Sequence, residues 1–316
     1  MILGRTSSSP MTSKMVLLVG GDSEIGAATA GLLRGQGVPV VTTTRRADRL
    51  GEHVVRLDLS QPLGAWEPPA GVEAACIFAA IARLAVCADD PEGSARINVD
   101  QTLALTERLV ARGIYVLFLS TNQVFDGSIA EVPPEAPACP VSEYGRQKAR
   151  TEAVLRAMMD GGAPVGILRL AKVVSPDMPL VRGWVSTLKS GQPIRAFHDM
   201  PMAPAPTEIV CTAIAKLLQD RAQGVFQLTG PCDVSYLDIG CHVAERVGAP
   251  RSLVESISAT AAGQPPGSTP RHTTLDSTVL RDRYGLVVPD VWTVVDSIIA
   301  AGQPSAPLHA LASDRG

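Results

Sequence analysis

Met15-Val16-Leu17-Leu18-Val19-Gly20-Gly21-Asp22-Ser23-Glu24-Ile25-Gly26 is the stretch on which the reading of this chain turns. The apolar run Val16–Val19 suits a strand covered on both faces. Two glycines interrupt it, and a helix-compatible pattern opens at Ile25. A strand, tight turn and helix in this order offer a pyrophosphate a close backbone, exposed N–H groups and the positive end of a helix dipole. Gly20 permits the sharp turn and Gly26 lets the helix pack near the strand, with Asp22, Ser23, Glu24 and Ile25 between them as candidate phosphate and ribose contacts. The spacing is Gly-x-x-Ser-x-x-Gly, with Ser23 where the usual fingerprint has its middle glycine. Serine is small enough for close approach of a phosphate and has a hydroxyl to donate. A glycine turn after a strand is also a common structural turn, so the surrounding chain has to decide between the two readings.

Outward from this segment the pattern alternates. β-rich runs at Met15–Val19, Pro39–Thr43, Val54–Leu57, Ala75–Ala79, Ile114–Leu119 and Val165–Leu170 are separated by helical stretches at Ile25–Arg34, near Pro91–Arg112 and at Ser142–Met159. That rhythm predicts βαβ units and an α/β fold with a doubly wound parallel sheet over residues 15–170. After Leu170, Pro and Gly become frequent. Helical patterns return at Thr207–Asp220, Tyr236–Val247, Leu275–Tyr284 and Val291–Ala301, with a strand-like run at Val225–Leu228. Residues 205–230 are expected to rejoin the sheet domain, while 171–204 and 231–302 form a smaller C-terminal substrate-binding lobe. Residues 1–14, rich in Ser and without the apolar core of a signal peptide, are expected to be a disordered arm, and 303–316 a flexible tail.

Composition narrows the function classes. A net charge of −3 in 316 residues lacks the basic excess of a nucleic-acid binder. No apolar run approaches the roughly 20 residues of a membrane span. Six cysteines without a Cys-x-x-Cys pair suit neither a disulfide framework nor a zinc site. They read as free thiols in a reducing cytoplasm, and no metal site is expected.

Within this frame several residues carry chemistry. Thr42-Thr43-Thr44-Arg45-Arg46 ends the second strand with no carboxylate where an NAD ribose would find one. Arg45 and Arg46 suit the 2′-phosphate of NADP, or are simply solvated. Asp58, followed by Leu59, stands where it would accept from an adenine amino group, or serves as a turn residue. Ala79 and Ala80 are small where a cofactor would pass. Asn98 falls in the long helical stretch and is a candidate cofactor contact, an exposed-face asparagine being the ordinary reading. Tyr144-Gly145-Arg146-Gln147-Lys148 puts a phenol and an ammonium one helical turn apart, hence on one face. An adjacent cation stabilises the phenolate, which would lower the proton affinity of Tyr144 and suit it to proton transfer; a surface pair is the other reading. Ser120-Thr121-Asn122-Gln123-Val124-Phe125-Asp126-Gly127 leaves the fifth strand with a hydroxyl placed to hold a carbonyl oxygen.

The glycine turn, Asp58, Ala79-Ala80, Asn98-Val99, Ser120–Gly127 and Tyr144–Lys148 occur in the order of the extended short-chain dehydrogenase/reductases. Ser-Thr-Asn-Gln-Val-Phe-Asp-Gly followed by Tyr-Gly-Arg-Gln-Lys resembles the dTDP-4-dehydrorhamnose reductases and their sugar-nucleotide relatives. The resemblance runs from about Met15 to Ala301 and thins after Lys148. It implies a Rossmann-type sheet and a catalytic triad of Thr121, Tyr144 and Lys148. It also implies hydride transfer from NADPH to the C4 carbonyl of a nucleotide-linked 4-keto-6-deoxy sugar, with Tyr144 as proton donor. Asn122, Val124, Lys172, Trp184 and Arg271 become candidate substrate contacts, Lys172 and Arg271 for phosphate and Trp184 for a base or for lobe packing. A homodimer is a further implication.

Departures from the family pattern lie on the substrate side. Related 4,6-dehydratases carry Thr-Asp-Glu where this chain has Thr121-Asn122-Gln123, and amides cannot exchange protons as carboxyl groups do, which disfavours dehydration. The family's Asp-Gln pair is Asp199-Met200 here, and its Arg-Pro becomes Pro270-Arg271. Two alternatives stay open: an epimerase that retains NAD, and a non-catalytic NADP-binding regulatory protein.

Overall fold

The computed structural model describes residues 15–265 and 267–301. The expected N-terminal arm and C-terminal tail lie outside the described residues. Seven parallel strands form the main sheet: β1 (Met15–Val19), β2 (Val40–Thr44), β3 (Val54–Arg56), β4 (Val72–Ile77), β5 (Tyr115–Thr121), β6 (Val165–Leu170) and β7 (Gly224–Leu228). Their spatial order is β7-β6-β5-β4-β1-β2-β3. The chain therefore runs outward from β1 to β3, then crosses to β4 and proceeds the other way. The crevice where the order reverses lies at the carboxyl ends of β1 and β4, the place where open α/β sheets bind ligands.

Side-chain alternation divides each strand between two cores. Val16, Leu18, Cys76, Leu117 and Leu168 face one side, with Ala213, Ile214 and Leu217 of helix α7 (below) packed on them. Leu17, Val19, Ile77, Val116, Phe118 and Ile167 face the other, against Leu105, Leu109 and Leu155. With both faces covered, the strands read as continuous apolar runs, which is why they stood out in the sequence.

Ten helices complete the described chain. The first five are α1 (Glu24–Gly35), α2 (Leu84–Asp89), α3 (Pro91–Ala95), α4 (Thr102–Val110) and α5 (Glu143–Asp160). They are followed by α6 (Pro179–Lys189), α7 (Thr207–Asp220), α8 (Tyr236–Val247), α9 (Thr278–Tyr284) and α10 (Val291–Ala301). Ser23 caps α1 by accepting from Gly26 N at 3.1 Å, and Ser142 caps α5 by accepting from Gly145 N at 3.0 Å. The single long helix expected near Pro91–Arg112 is broken. A widened π turn at Arg96–Gln101 joins α3 to α4 and swings Asn98 inward, and the Asn98 carbonyl accepts from Thr151 Oγ1 at 3.0 Å.

A third core joins Val181, Trp184, Val185 and Leu188 of α6 to Ile239 and Val243 of α8 and to Val294 and Ile298 of α10. A short parallel pair, Ile194–Phe197 with Val254–Ile257, lies against it. The helix expected at Leu275–Tyr284 starts only at Thr278, because Leu275 bridges to Val132 and its N–H bonds Thr229 Oγ1 at 3.1 Å. No helix of the described residues is long and apolar enough to cross a membrane.

Candidate active site

Two threonines at the end of β2, Thr43 and Thr44, hold the glycine turn. Gly20 N donates to Thr43 Oγ1 at 3.0 Å, Gly21 N to Thr43 O at 3.1 Å, and Thr44 Oγ1 to Asp22 Oδ2 at 2.5 Å. Gly20 sits at φ +93°, and a Cβ there would lie 2.8 Å from Ala79 N. The turn and the end of β4 thus approach as closely as bare backbone allows, leaving a floor without side chains. A cavity of about 270 Å³ opens over it, lined by Gly20, Asp22, Ser23, Arg45, Asp58 and Ala79 among others. Ala80 and the buried Leu59 line it too. Asp58 Oδ1 accepts from Ser60 N at 3.0 Å and Ser60 Oγ at 2.7 Å. Burial pushes its proton affinity up, but these bonds outweigh that and hold the carboxyl below its usual value.

A second cavity, of about 650 Å³, shares Ser23, Phe78 and Ala80 with the first, so one cleft runs from the glycine turn to the helix α5 face. Thr121, Asn122, Tyr144, Lys148 and Lys172 all line it. The structure therefore brings the expected triad together. Lys148 Nζ donates to Leu119 O at 2.8 Å and lies 4.2 Å from the centre of the Phe118 ring and 5.9 Å from that of Tyr144. The electrostatics differ from the sequence expectation of an acidified phenol. Burial lowers Lys148 to about 7, with Glu152 pulling the other way. The Tyr144 phenol is pushed up by burial, with Cys87 adding to the effect. Desolvation outweighs the helical cation.

Behind the triad lies a buried polar network, in which Arg169 shows in the sequence only as an echo of the family pattern and Glu152 not at all. Glu152, one turn beyond Lys148, accepts from Ser120 Oγ at 2.5 Å and from Arg169 Nη2 at 2.7 Å. Arg169 also donates to Gln227 Oε1 at 3.0 Å and stacks on Phe125. Lys148 and Glu152 thereby fasten Leu119 and Ser120, the two residues leading to Thr121, against α5. The Glu152 and Arg169 side chains are 3% and 1% exposed. Gly145 admits the same closeness, since a Cβ there would meet Gln123 O at 2.1 Å.

Other expected contacts lie elsewhere. Asn98 is buried, not surface-exposed, and lines neither cavity. Its Oδ1 accepts from Ile81 N at 2.8 Å and its Nδ2 donates to Gln147 Oε1 at 2.7 Å, tying the segment after β4 to α5. Val124 is wholly buried with Phe125, Val132 and Leu275, because its short 3₁₀ turn points it into the core. Trp184 packs inside the small lobe, edge-on to Tyr236, and it is Tyr236 that reaches the cleft. Arg271 is exposed, while its neighbours Pro270 and Thr273 line the cavity. Arg46 turns away to Asp48 at 2.9 Å. Glu24 is exposed on the first turn of α1, and Gly26 packs beneath the turn without lining the cleft. Met200, named in the sequence only as a departure from the family's Asp-Gln pair, closes the substrate side together with Pro201, Met202 and Ser268, which were not foreseen. Pro201 and Met202 are placed by their pairing with Val234–Ser235, for which no local pattern existed.

The floor without side chains, the small residues Ala79 and Ala80 and the helix start at Glu24 fit an extended dinucleotide lying along the cleft with its pyrophosphate over the turn. Comparison with known proteins agrees. The Agl14 protein of Haloferax volcanii, a probable low-salt glycan biosynthesis reductase, is 30% identical over 222 residues, 68% of this chain and 71% of its own length. The beta subunit of methionine adenosyltransferase 2 of Pongo abelii is 23% identical over 191 residues, and the match spans 55% of this chain and 54% of that protein. Among solved structures, a dTDP-4-dehydrorhamnose reductase of Clostridium acetobutylicum superposes with a TM-score of 0.74 at 19% identity, over 91% of this chain and 98% of the other. A UDP-glucose 4-epimerase of Thermotoga maritima, with UDP-glucose, has the same TM-score at 18% identity and the same coverages. At these identities the structural likenesses speak to the fold. The model for the RmlD substrate binding domain matches residues 14–303, nearly the whole chain. The chain therefore belongs to the RmlD substrate binding domain family, NAD(P)-dependent oxidoreductases of the extended short-chain dehydrogenase/reductase type.

Proposed function

We propose that this protein is an NADPH-dependent reductase acting on the C4 carbonyl of a nucleotide-linked 4-keto-6-deoxy sugar. The observation that carries the reading is that Thr121, Tyr144 and Lys148 line one cavity continuous with that of the glycine turn. The nicotinamide, when bound, supplies the hydride. The chain's own residues do the rest. The Thr121 hydroxyl donates to the carbonyl oxygen and holds it in place. Tyr144 gives its proton to that oxygen as negative charge develops there. Burial favours the protonated phenol, which is the form a proton donor needs. The phenolate left behind faces Lys148, whose ammonium stabilises it. Lys172, just past β6, is the cation assigned to the substrate phosphate, and Arg45 that for the cofactor 2′-phosphate.

The amide of Gln123 is held between Gly267 O and Ser142 Oγ, both at 3.2 Å, and serves as a brace where a dehydratase would need a carboxyl group. A second reading, an epimerase retaining NAD, draws on the Asp22 carboxylate in the adenosine-side cavity. We place the protein in the cytoplasm, in keeping with six unpaired thiols. The test is nicotinamide absorbance across a panel of nucleotide-linked 4-keto sugars, with NADPH and NADH in parallel. Stoichiometric oxidation by one panel member supports the reductase. Protein purified with stoichiometric bound NAD and causing no net NADPH oxidation would favour the epimerase instead.

A further inference from the structure

We infer that Glu152 is a positioning residue for the reaction, its buried carboxylate serving as the counter-charge that keeps the Lys148 ammonium in place beside Tyr144 at the end of β5. The inference rests on the reading above in giving Lys148 the task of stabilising the phenolate.

Lys148 and Glu152 lie one helical turn apart on one face of α5. They grip adjacent residues of β5. Lys148 Nζ donates to Leu119 O at 2.8 Å, and Glu152 Oε1 accepts from Ser120 Oγ at 2.5 Å. The two charges are thereby held to neighbouring points on one strand, with Lys148 3% and Glu152 2% exposed. Away from water, attraction over so short a span is weakly screened. Glu152 is itself fixed from behind. Arg169 of β6 donates to Oε1 through Nε at 3.0 Å and to Oε2 through Nη2 at 2.7 Å. Pro134 O and Gln227 Oε1 of β7 hold the guanidinium in turn, at 3.2 and 3.0 Å. The carboxylate cannot swing away from Lys148 without breaking contacts to three strands.

The other groups around Lys148 offer it no comparable charge. On its own helix stands the Tyr144 phenol, and on α2 the Cys87 thiol; burial raises both, so both are neutral at neutral pH. Glu143 is taken up by Arg146 and Gln147. β5 presents the Leu119 carbonyl and the Phe118 ring. Burial drives Lys148 down to about 7, and the largest pull in the other direction comes from Glu152. Without that carboxylate the ammonium is lost at a lower pH. The phenolate formed when Tyr144 gives up its proton then faces a neutral amine.

The chain has five lysines, so an NMR titration of the full chain carrying ¹³C at lysine Cε follows each of them, with Lys148 assigned by Lys148→Met. Glu152→Gln keeps the shape and removes the charge, and is expected to lower the Lys148 midpoint by about one pH unit. The alkaline fall of kcat, measured with the panel substrate that oxidises NADPH, is expected to move down with it. Glu152→Asp restores the charge and brings the midpoint back toward its original place. Ser120→Ala, which breaks the contact to β5 but spares the charge, leaves the midpoint where it was. If Glu152→Gln does not fold, the paired change Glu152→Met with Arg169→Met decides in its place, since it removes the ion pair without leaving one buried charge alone, and the same downward shift is expected. A midpoint unmoved to within about 0.2 pH unit, with an unchanged thermal melt, overturns the inference and leaves the reductase reading standing. A lowered midpoint in a protein that oxidises NADPH with no panel member overturns the reductase reading instead.

Discussion

At the glycine-turn end of the cleft the charged side chains stand in water. The Arg46–Asp48 pair is 54% and 66% exposed, and Arg49 and Asp22 are only partly covered. At the tyrosine end Lys148, Glu152 and Arg169 are almost wholly buried. The same chemical groups therefore do different work. In water an ion pair contributes little to stability and its partners can be exchanged. Under the protein, the cost of desolvation makes every charge depend on its partners. That pins the catalytic side chains and shifts their proton affinities.

The contrast breaks most sharply at Tyr144. Tyr144→Phe is expected to cut turnover by roughly 10²–10⁴-fold while leaving NADPH binding unchanged by fluorescence titration; turnover at the unsubstituted rate would remove Tyr144 from the chemistry. Glu152→Ala leaves Arg169 buried without its carboxylate and is expected to cost about 3–5 kcal/mol in urea denaturation. Next in size, Gly145→Ala drives a methyl into Gln123 O. A loss of about 1–3 kcal/mol is expected, with reduced turnover as α5 shifts Tyr144.

Proton linkage sharpens the comparison further. Lys148 has a folded value of about 7 against an unfolded value near 10.5, so the unfolded chain holds more protons between these limits. Stability therefore rises with pH across that window, by about 1.4 kcal/mol per pH unit near its middle, relative to a Lys148→Met variant. Above about pH 10 the raised Tyr144 acts oppositely, since the unfolded phenol ionises first. Denaturant midpoints measured from pH 7 to 10 check the sign. The smallest effect belongs to the other end: Arg46→Ala is expected to leave the thermal midpoint unmoved.

How far the chain could be read locally varies along it. The strands β1 and β5 were legible because both their faces are covered, so burial wrote nearly continuous apolar runs. β2 was marked by its β-branched valines and threonines, and β6 by an apolar run broken only at Gly166 and Arg169. Helix α5 was legible from Ser142, its capping residue, and the spacing of Tyr144 and Lys148. Helix α6 was not, although Val181, Trp184, Val185 and Leu188 recur at helical spacing, because Pro179 and Gly183 read as loop markers; in fact Pro179 occupies the first helical turn, where it is tolerated. The break at Asn98 left no mark either, since a π turn changes hydrogen-bond partners without changing residue types.

Residue order alone marked the strands, the glycine turn and the Tyr144–Lys148 spacing, each of which depends on a pattern within one strand, turn or helix, and the family resemblance added Thr121. The fate of each charge was a matter of packing. Whether Lys148 acidifies a phenol or loses its own charge is set by the depth of burial under β5 and α5. Whether Arg46 meets a ligand is set by Asp48 capturing it first. Asp22 joins the end of β2 only because the sheet lays two strands side by side. Desolvation and through-space pairing depend on distances in three dimensions, and residues far apart in the chain supply them.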